Sequence, residues 1–212
     1  MNTRQRRKTI LERLAQEYPT AETELMYGNN FQLLIAVVMS AQTTDRAVNN
    51  VTTHLFQIIY TPEDVIRLGF DALAQAMQSI GLWRAKALNI IKLSHQLIER
   101  HAGHVPDTRD ALCALAGVGS KTAAVVLNVA FGEPTVAVDT HVFRLAHRMG
   151  LARGKTPDLV EQYFNTYYTK SMRTLLHHRL ILHGRYICKA RKPLCFQCVL
   201  CDICPSRDLY VA

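Results

Sequence analysis

The sequence lacks the features that mark membrane and exported proteins. No apolar run reaches the roughly 18–20 residues that a membrane-spanning helix requires. The N-terminal sequence MNTRQRRKTILERL begins with basic residues, but it has neither the apolar core nor the small-residue cleavage site of a signal peptide. We therefore predict a cytoplasmic protein that has no membrane partner.

Low-complexity segments, clear repeats and sheet-forming patterns are also missing. Hydrophobic residues make up 49% and charged residues 20% of the 212 residues, so the chain can bury a core and is not disordered as a whole. The only strand-like stretch, residues 135–138, is too short for a sheet. Elsewhere the apolar residues recur at helical spacing, which predicts an all-α fold.

Capping signals help to place individual helices. Thr61 followed by Pro62 is typical of an N-cap and a first helical residue. Asp107 or Thr108 is predicted to cap a helix that ends near residue 115, and Ser120 is predicted to cap the next one. The predicted helices span approximately residues 4–17, 31–39, 85–101, 120–131, 140–149, 158–168 and 172–186.

The charge balance suggests an anionic partner. The net charge is +8 and the isoelectric point is about 9.3, which favours nucleic acid, although a merely basic surface explains the charge equally well.

Residues 112–127 read as two helices joined by a turn that contains Gly117 and Gly119. Such a helix-hairpin-helix grips a DNA backbone, because the second helix presents free N–H groups and a partial positive charge to phosphate. An ordinary turn between packed helices is the alternative. A nucleotide-binding P-loop is excluded, because the spacing differs and no strand precedes the glycines.

Lys121 and Asp139 are candidate catalytic residues. Lys121 is expected in the first turn of the second helix, where the helix dipole and partial burial would favour the neutral amine that a Schiff-base nucleophile needs. A phosphate-contacting lysine is the simpler alternative. Asp139 is most simply the N-cap of the following helix, but a carboxylate beside Lys121 could also handle protons or stabilise a developing cation.

Five cysteines lie within residues 188–204. Cytosolic thiols stay reduced, so this group indicates a metal site rather than disulfides. One possible set of four is the regular ladder Cys195, Cys198, Cys201 and Cys204, and the other replaces Cys201 with Cys188. Local spacing leaves both sets open, and it leaves structural zinc open as well.

Taken together, these motifs resemble the endonuclease III family. The motifs are residues 115–123, residues 136–141 and the spacing Cys-x6-Cys-x2-Cys-x5-Cys from Cys188 to Cys204. The resemblance extends over nearly the whole chain, including residues 33–45, 80–87 and 182–186. The family consists of DNA glycosylase/AP lyases in the helix-hairpin-helix superfamily.

The resemblance implies a two-lobed monomer that binds duplex DNA in the groove between the lobes. One lobe is a helical barrel over residues 23–133 that carries the hairpin at 112–127. The other joins residues 1–22 to residues 134–212 and holds a [4Fe–4S] cluster in the loop 188–204.

The implied activity is bifunctional. The enzyme flips out and excises oxidised pyrimidines, with Lys121 attacking C1′ to form a Schiff base and Asp139 assisting. β-Elimination then cuts the strand 3′ to the abasic site, and an abasic site alone is also a substrate.

The resemblance also assigns binding residues. Gln42 would fill the gap left by the flipped base and Leu82 would wedge into the stack, although a helix-end glutamine and a core leucine are the plain alternatives. The cluster ligands would be Cys188, Cys195, Cys198 and Cys204, which leaves Cys201 spare. Further implied DNA contacts are Gly117, Val118, Gly119 and Ser120 in the hairpin, and Lys189, Arg191 and Lys192 in the cysteine loop.

The chain departs from the family pattern at four positions. Ala116 replaces a usual proline, Ser120 replaces a usual basic residue, Cys113 replaces a common acidic residue and Trp83 replaces a frequent tyrosine. These changes bear on DNA affinity and lesion preference.

Two other functions compete with the lyase. A monofunctional adenine glycosylase of the same fold would lack a lysine at position 121 and would carry an extra C-terminal domain. An iron–sulfur electron carrier would not need the hairpin, Lys121 and Asp139 together.

Overall fold

The structure, a computed structural model that describes residues 2–211, is helical, as the sequence pattern predicts. Within that range there are twelve α-helices, two short 3₁₀ helices and no strand. Residues 135–138 are irregular; Val136 and Val138 are buried in a core. None of the described helices is both long enough and apolar enough to cross a membrane.

The chain divides into two compact units. One unit comprises residues 24–132, and the other joins residues 1–23 to residues 133–212. Each unit has its own hydrophobic core. We call them the central unit and the terminal unit.

The central unit is built around α2 and α6. Every residue from Phe31 to Met39 of α2 is buried, which explains the continuous apolar run in the sequence. α2 packs against α6 and α8, α4 and α5 pack against α6, and α7 packs against α8. The helices are α2 (Asn30–Met39), α3 (Asp45–Leu55), α4 (Pro62–Leu68), α5 (Phe70–Ala76), α6 (Trp83–His101), α7 (Arg109–Cys113) and α8 (Ser120–Phe131).

The terminal unit combines the first helix with the last four. α9 packs against α10 and α12, and α1 packs against α12, where Ile10 and Leu14 of α1 are fully buried. The helices are α1 (Thr3–Glu17), α9 (Thr140–Arg148), α10 (Pro157–Tyr167), α11 (Lys170–Arg173) and α12 (Leu176–Tyr186), and the 3₁₀ helices are Cys195–Gln197 and Arg207–Leu209.

Local capping signals account for several helix ends. Thr61 is an N-cap and Pro62 is the first helical residue, as predicted, and Thr61 and Asp64 also form a reciprocal capping box. The predicted helix over residues 172–186 is wrong in one respect, because α11 and α12 are separate helices. The Thr174 hydroxyl donates to the Lys170 carbonyl at 3.1 Å, a local bond that competes with regular helix and favours the break.

Candidate functional site

The turn between α7 and α8 requires glycine at position 117. Gly117 has φ +77°, a left-handed conformation that side chains disfavour. A Cβ added there would lie 2.9 Å from the Cβ of Asn89 on α6. Both the backbone conformation and the available space therefore fix glycine in this hairpin.

Ser120 is not the N-cap that the sequence suggested. Gly119 occupies the N-cap position in an extended conformation, and no side-chain cap forms there in the described chain. Ser120 is instead the first helical residue, and its hydroxyl accepts a hydrogen bond of 2.6 Å from the Arg109 guanidinium. The first-turn N–H groups of α8 are thus left to an external acceptor. Arg109 supplies a cation next to position 120, where the family pattern has a basic residue.

The hairpin presents Lys121 to solvent. Lys121 is the second residue of α8 and is exposed, so the expectation of partial burial is wrong. Gly117, Gly119 and Ser120 are exposed as well, whereas the Val118 side chain packs in the core with 6% exposure. The Val118 N–H donates to the Leu115 carbonyl at 3.1 Å within the hairpin.

Gln42 and Leu82 share an unusual backbone conformation. Both are exposed, Leu82 by 60%, so the alternative of a core leucine is wrong. Gln42 has φ +55° and Leu82 has φ +58°, in a region that non-glycine residues rarely adopt. Conformations of this kind cost of order 1–3 kcal/mol and cluster at functional sites.

Asp139 caps α9, as predicted. Its Oδ1 accepts from the Val142 N–H at 2.7 Å, and within residues 2–211 its other oxygen forms no hydrogen bond. The side chain is half-buried. Capping and proton handling are therefore compatible roles, because the cap occupies only one of the two oxygens.

Two arginines connect α9, the helix that Asp139 caps, to the cysteine segment, residues 188–204. Arg144 donates to the carbonyls of Gly184 at 2.8 Å and Cys188 at 3.1 Å. Arg148, one turn further on, donates to the carbonyls of Lys189 at 2.8 Å and Ala190 at 3.0 Å. Sequence reasoning missed both residues. The signal that was available is that they lie four residues apart, on one face of the helix that Asp139 caps.

The five C-terminal cysteines line one cavity, which we call the cysteine cavity. It is open to solvent at its mouth, and its wall also includes Arg148, His183 and Tyr210. Cys113 lies in the central unit and is exposed. The structure therefore brings both candidate sets of four thiols to a single place.

The chemistry of the cysteine cavity suits a sulfur-ligated metal group. Burial, together with neighbouring thiols, raises the pKa of Cys198 to about 11 and also raises the pKa of Cys195 and Cys204. Bare thiolates are thus disfavoured, and a bound cation would reverse this because it ligates the thiolate form. The thiols share this cavity without being in a coordinating arrangement, since within residues 2–211 no group of three or more His, Cys, Asp or Glu residues is arranged to hold a metal ion.

Polar groups also approach the sulfur atoms. Arg148 Nη1 lies 3.5 Å from Cys188 Sγ, and the Leu200 N–H donates to Cys198 Sγ at 3.4 Å. His183 Nε2 lies 3.4 Å from Cys198 Sγ, and burial lowers the pKa of His183 to about 4, so its ring is neutral. Contacts of this kind orient thiolate ligands and partly offset their charge.

The segment between Cys188 and Cys195 carries the three predicted cations. Lys189, Arg191 and Lys192 are all exposed, and Lys192 adopts a left-handed conformation with φ +50°. The bonds from Arg148 fix the backbone at the start of this segment. The cysteine segment therefore displays its positive charges from an anchored loop.

Known proteins resemble the chain over almost its full length. A family profile described as "HhH-GPD superfamily base excision DNA repair protein" matches residues 35–170. Endonuclease III of Haemophilus influenzae is 49% identical over 203 residues, which cover 96% of each chain. Endonuclease III of Escherichia coli K12 is 46% identical over the same share of both chains.

Solved structures give the same result. A trapped covalent intermediate of endonuclease III with DNA superposes with a TM-score of 0.94 at 45% identity and covers 100% of both chains. A non-covalent complex of endonuclease III with DNA gives a TM-score of 0.92 at 45% identity, covering 99% of this chain and 98% of that one.

Proposed function

The chain belongs to the endonuclease III family, within the HhH-GPD superfamily of base excision DNA repair proteins, and from this membership we propose its substrate and mechanism. It is a DNA glycosylase and abasic-site lyase. We propose that it acts as a monomer on duplex DNA in the cytoplasm and nucleoid, where it excises oxidised pyrimidines and cuts abasic sites.

The observation that carries the proposal is the exposed Lys121 in the first turn of a helix whose N-terminus has no side-chain cap. The N–H groups of that turn can hold the DNA phosphate next to the nucleotide that the amine attacks. A trapped covalent intermediate with DNA is known for a protein 45% identical to this chain, which supports covalent chemistry here.

The proposed chemistry has two steps. In the first, Lys121 Nζ bonds to C1′ while the N-glycosidic bond breaks, and the base leaves with the electron pair. A proton from the amine passes to the free oxygen of Asp139 or to water. In the second, the nitrogen lone pair forms the imine as the C1′–O4′ bond breaks and O4′ takes a proton, which opens the sugar ring. The imine acidifies C2′, a C2′ proton is lost, and the C3′–O bond breaks with the 3′ phosphate leaving.

The proposed DNA contacts fall into two classes. The hairpin residues Gly117 to Ser120, through their backbone, and the loop cations Lys189, Arg191 and Lys192 contact phosphates without reading sequence. Gln42 and Leu82 enter the duplex, where the glutamine occupies the gap and the leucine parts the stacked bases.

We further propose that Cys188, Cys195, Cys198 and Cys204 hold a [4Fe–4S] cluster in the cysteine cavity. The family's spacing favours this set over the regular ladder, and thiols gathered in one cavity are the ligands that an iron–sulfur group requires. When bound, the cluster supplies a covalent cross-link that fixes the loop of cations. Cys201 is left as a wall residue.

Borohydride trapping on an oligonucleotide with one abasic site tests the nucleophile. The native protein should form a covalent adduct, and Lys121→Ala should form none. Lys92→Ala, which removes an exposed lysine from α6, is the matched control and should trap normally. An undiminished adduct in Lys121→Ala would exclude Lys121 as the nucleophile.

A cleavage panel tests the substrate class. Duplexes with an oxidised pyrimidine should be cut, whereas adenine opposite an oxidised guanine should not. Efficient removal of that adenine would support the monofunctional adenine glycosylase instead.

Visible absorbance and iron analysis test the ligand set. Cys201→Ser should stay brown with a full iron content, and Cys188→Ser should lose both. Bleaching by Cys201→Ser alone would favour the regular ladder, and zinc in place of iron in the native protein would exclude the cluster.

A further inference from the structure

Lys86 is a buried lysine that the proposed chemistry does not use. It lies in the first turns of α6 with 5% exposure, and burial lowers its pKa. Within residues 2–211 it forms no ion pair, and its Nζ makes one hydrogen bond, of 2.7 Å, to Thr43 Oγ1. A buried cation with a single neutral partner costs stability, so a role other than folding accounts better for its presence.

Lys86 forms one hydrogen bond to each of two turns. The first, the Gln42 turn, comprises residues 40–43 and follows α2, and the second, the Leu82 turn, comprises residues 80–82 and precedes α6. Lys86 Nζ holds the first turn through Thr43, and the Lys86 backbone N–H donates to the Leu82 carbonyl at 3.0 Å. One residue therefore touches both turns.

The two turns also approach each other directly. A Cβ added to Gly81 would meet the Gln42 carbonyl oxygen at 4.0 Å. Gln42, the left-handed residue of the first turn, precedes Thr43, which accepts the Lys86 hydrogen bond. Leu82, the left-handed residue of the second turn, follows Gly81, which lies close to the Gln42 carbonyl. Leu82 is the N-cap residue of α6 and forms no side-chain cap there, and the Lys86–Thr43 bond links α6 to the Gln42 turn, so this bond can hold the two turns in register.

We propose that Lys86 is a positioning residue that locks the Gln42 turn to the Leu82 turn, so that the two side chains meet DNA as one preformed wedge. This inference rests on the proposed role of Gln42 and Leu82 in DNA opening. A preformed wedge reduces the conformational cost of unstacking, and it matters most where the target base is still paired and stacked.

The test replaces Lys86 with methionine, which keeps the apolar stem and removes the ammonium. Single-turnover base removal from a duplex with a paired, oxidised pyrimidine should fall about tenfold, the loss expected for one charge-assisted hydrogen bond. Cleavage of a preformed abasic site, where no base needs to be flipped, should change less than about twofold. Urea unfolding should show a protein at least as stable as the native one, because a buried charge has been removed.

Two variants separate positioning from a structural effect. Thr43→Val removes the acceptor and should give the same loss on the paired lesion, while the double variant should lose no more than either single one. Lys86→Gln, which retains an N–H donor, should recover part of the activity. Lys92→Met on the same helix is exposed and should leave both rates unchanged.

Fluorescence of 2-aminopurine next to the lesion gives a readout of base unstacking that is independent of turnover. Lys86→Met should reduce the signal at saturating protein. Equal losses on both substrates, lower stability, additive losses in the double variant or no loss at all would each overturn the proposal. None of these outcomes bears on Lys121, whose test is the covalent adduct.

Discussion

The hairpin turn offers a direct test of how the backbone is specified, because its two glycines differ in what they require. In Gly117→Ala the new residue must adopt φ +77°, and its Cβ must fit 2.9 Å from the Cβ of Asn89. In Gly119→Ala the backbone is extended, with φ −91° and ψ 174°, and nothing lies within 4 Å of the new atom.

The expected destabilisation of Gly117→Ala has two parts. The left-handed conformation costs roughly 1–2 kcal/mol for a residue with a side chain. Overpacking against Asn89 adds about 1–3 kcal/mol, since the nearest atom is a Cβ that cannot swing away. The lower entropy of the unfolded alanine chain returns about 0.4–1 kcal/mol. We therefore expect a net loss of about 1–5 kcal/mol, larger than that of Gly119→Ala, which adds no backbone strain or overpacking and changes only the N-cap residue of α8.

Urea unfolding followed by circular dichroism measures the difference between the two variants. Hydrogen exchange at the amides of α7 and α8 would show whether the loss is confined to the hairpin. DNA affinity should fall in both variants. Gly117→Ala distorts the hairpin, and Gly119→Ala places a methyl group at an exposed position of the proposed phosphate contact. Equal stabilities of Gly117→Ala and Gly119→Ala would refute the reasoning.

Three further predictions concern individual side chains. Asp139→Asn should keep the α9 cap and change the free energy of unfolding by less than about 0.5 kcal/mol, whereas Asp139→Ala should lose about 1 kcal/mol. Both variants should slow single-turnover cleavage, and full activity in Asp139→Asn would show that no carboxylate is needed. Arg109→Gln should weaken DNA binding and lower the slope of log affinity against log salt by about one, and adding Ser120→Arg should restore the slope. An unchanged slope in Arg109→Gln would show that Arg109 does not contact DNA. Arg148→Met should loosen the cysteine loop, seen as faster tryptic cleavage between residues 189 and 192, whereas an unchanged rate would show that the bonds to the Lys189 and Ala190 carbonyls do not restrain it.

The sequence predicts the fold best where one local signal is enough. The apolar run of α2, the Thr61 capping box and the Asp139 cap depend on neighbours within a few residues. Ser120 shows the limit of this reasoning. Whether a serine caps a helix or begins it depends on the backbone set by Gly117, and its actual partner is Arg109, eleven residues earlier.

The candidate site divides in the same way. Lys121, Asp139 and the cysteines can be found because their chemistry and spacing are visible in the sequence. Arg144 and Lys86 cannot be found so easily, because their partners lie about 40 residues away. Arg144 bonds to a backbone carbonyl, and such an acceptor leaves no trace in residue identity.

The division of the chain has a consequence for its synthesis. The central unit is a continuous segment, residues 24–132, so it can acquire its core while the ribosome is still making the rest. The terminal unit cannot, because Ile10 and Leu14 pack into a core that also contains Leu200. Until α12 has been made, α1 lacks the helix that it packs against, so α1 leaves the ribosome long before it can bury its apolar face.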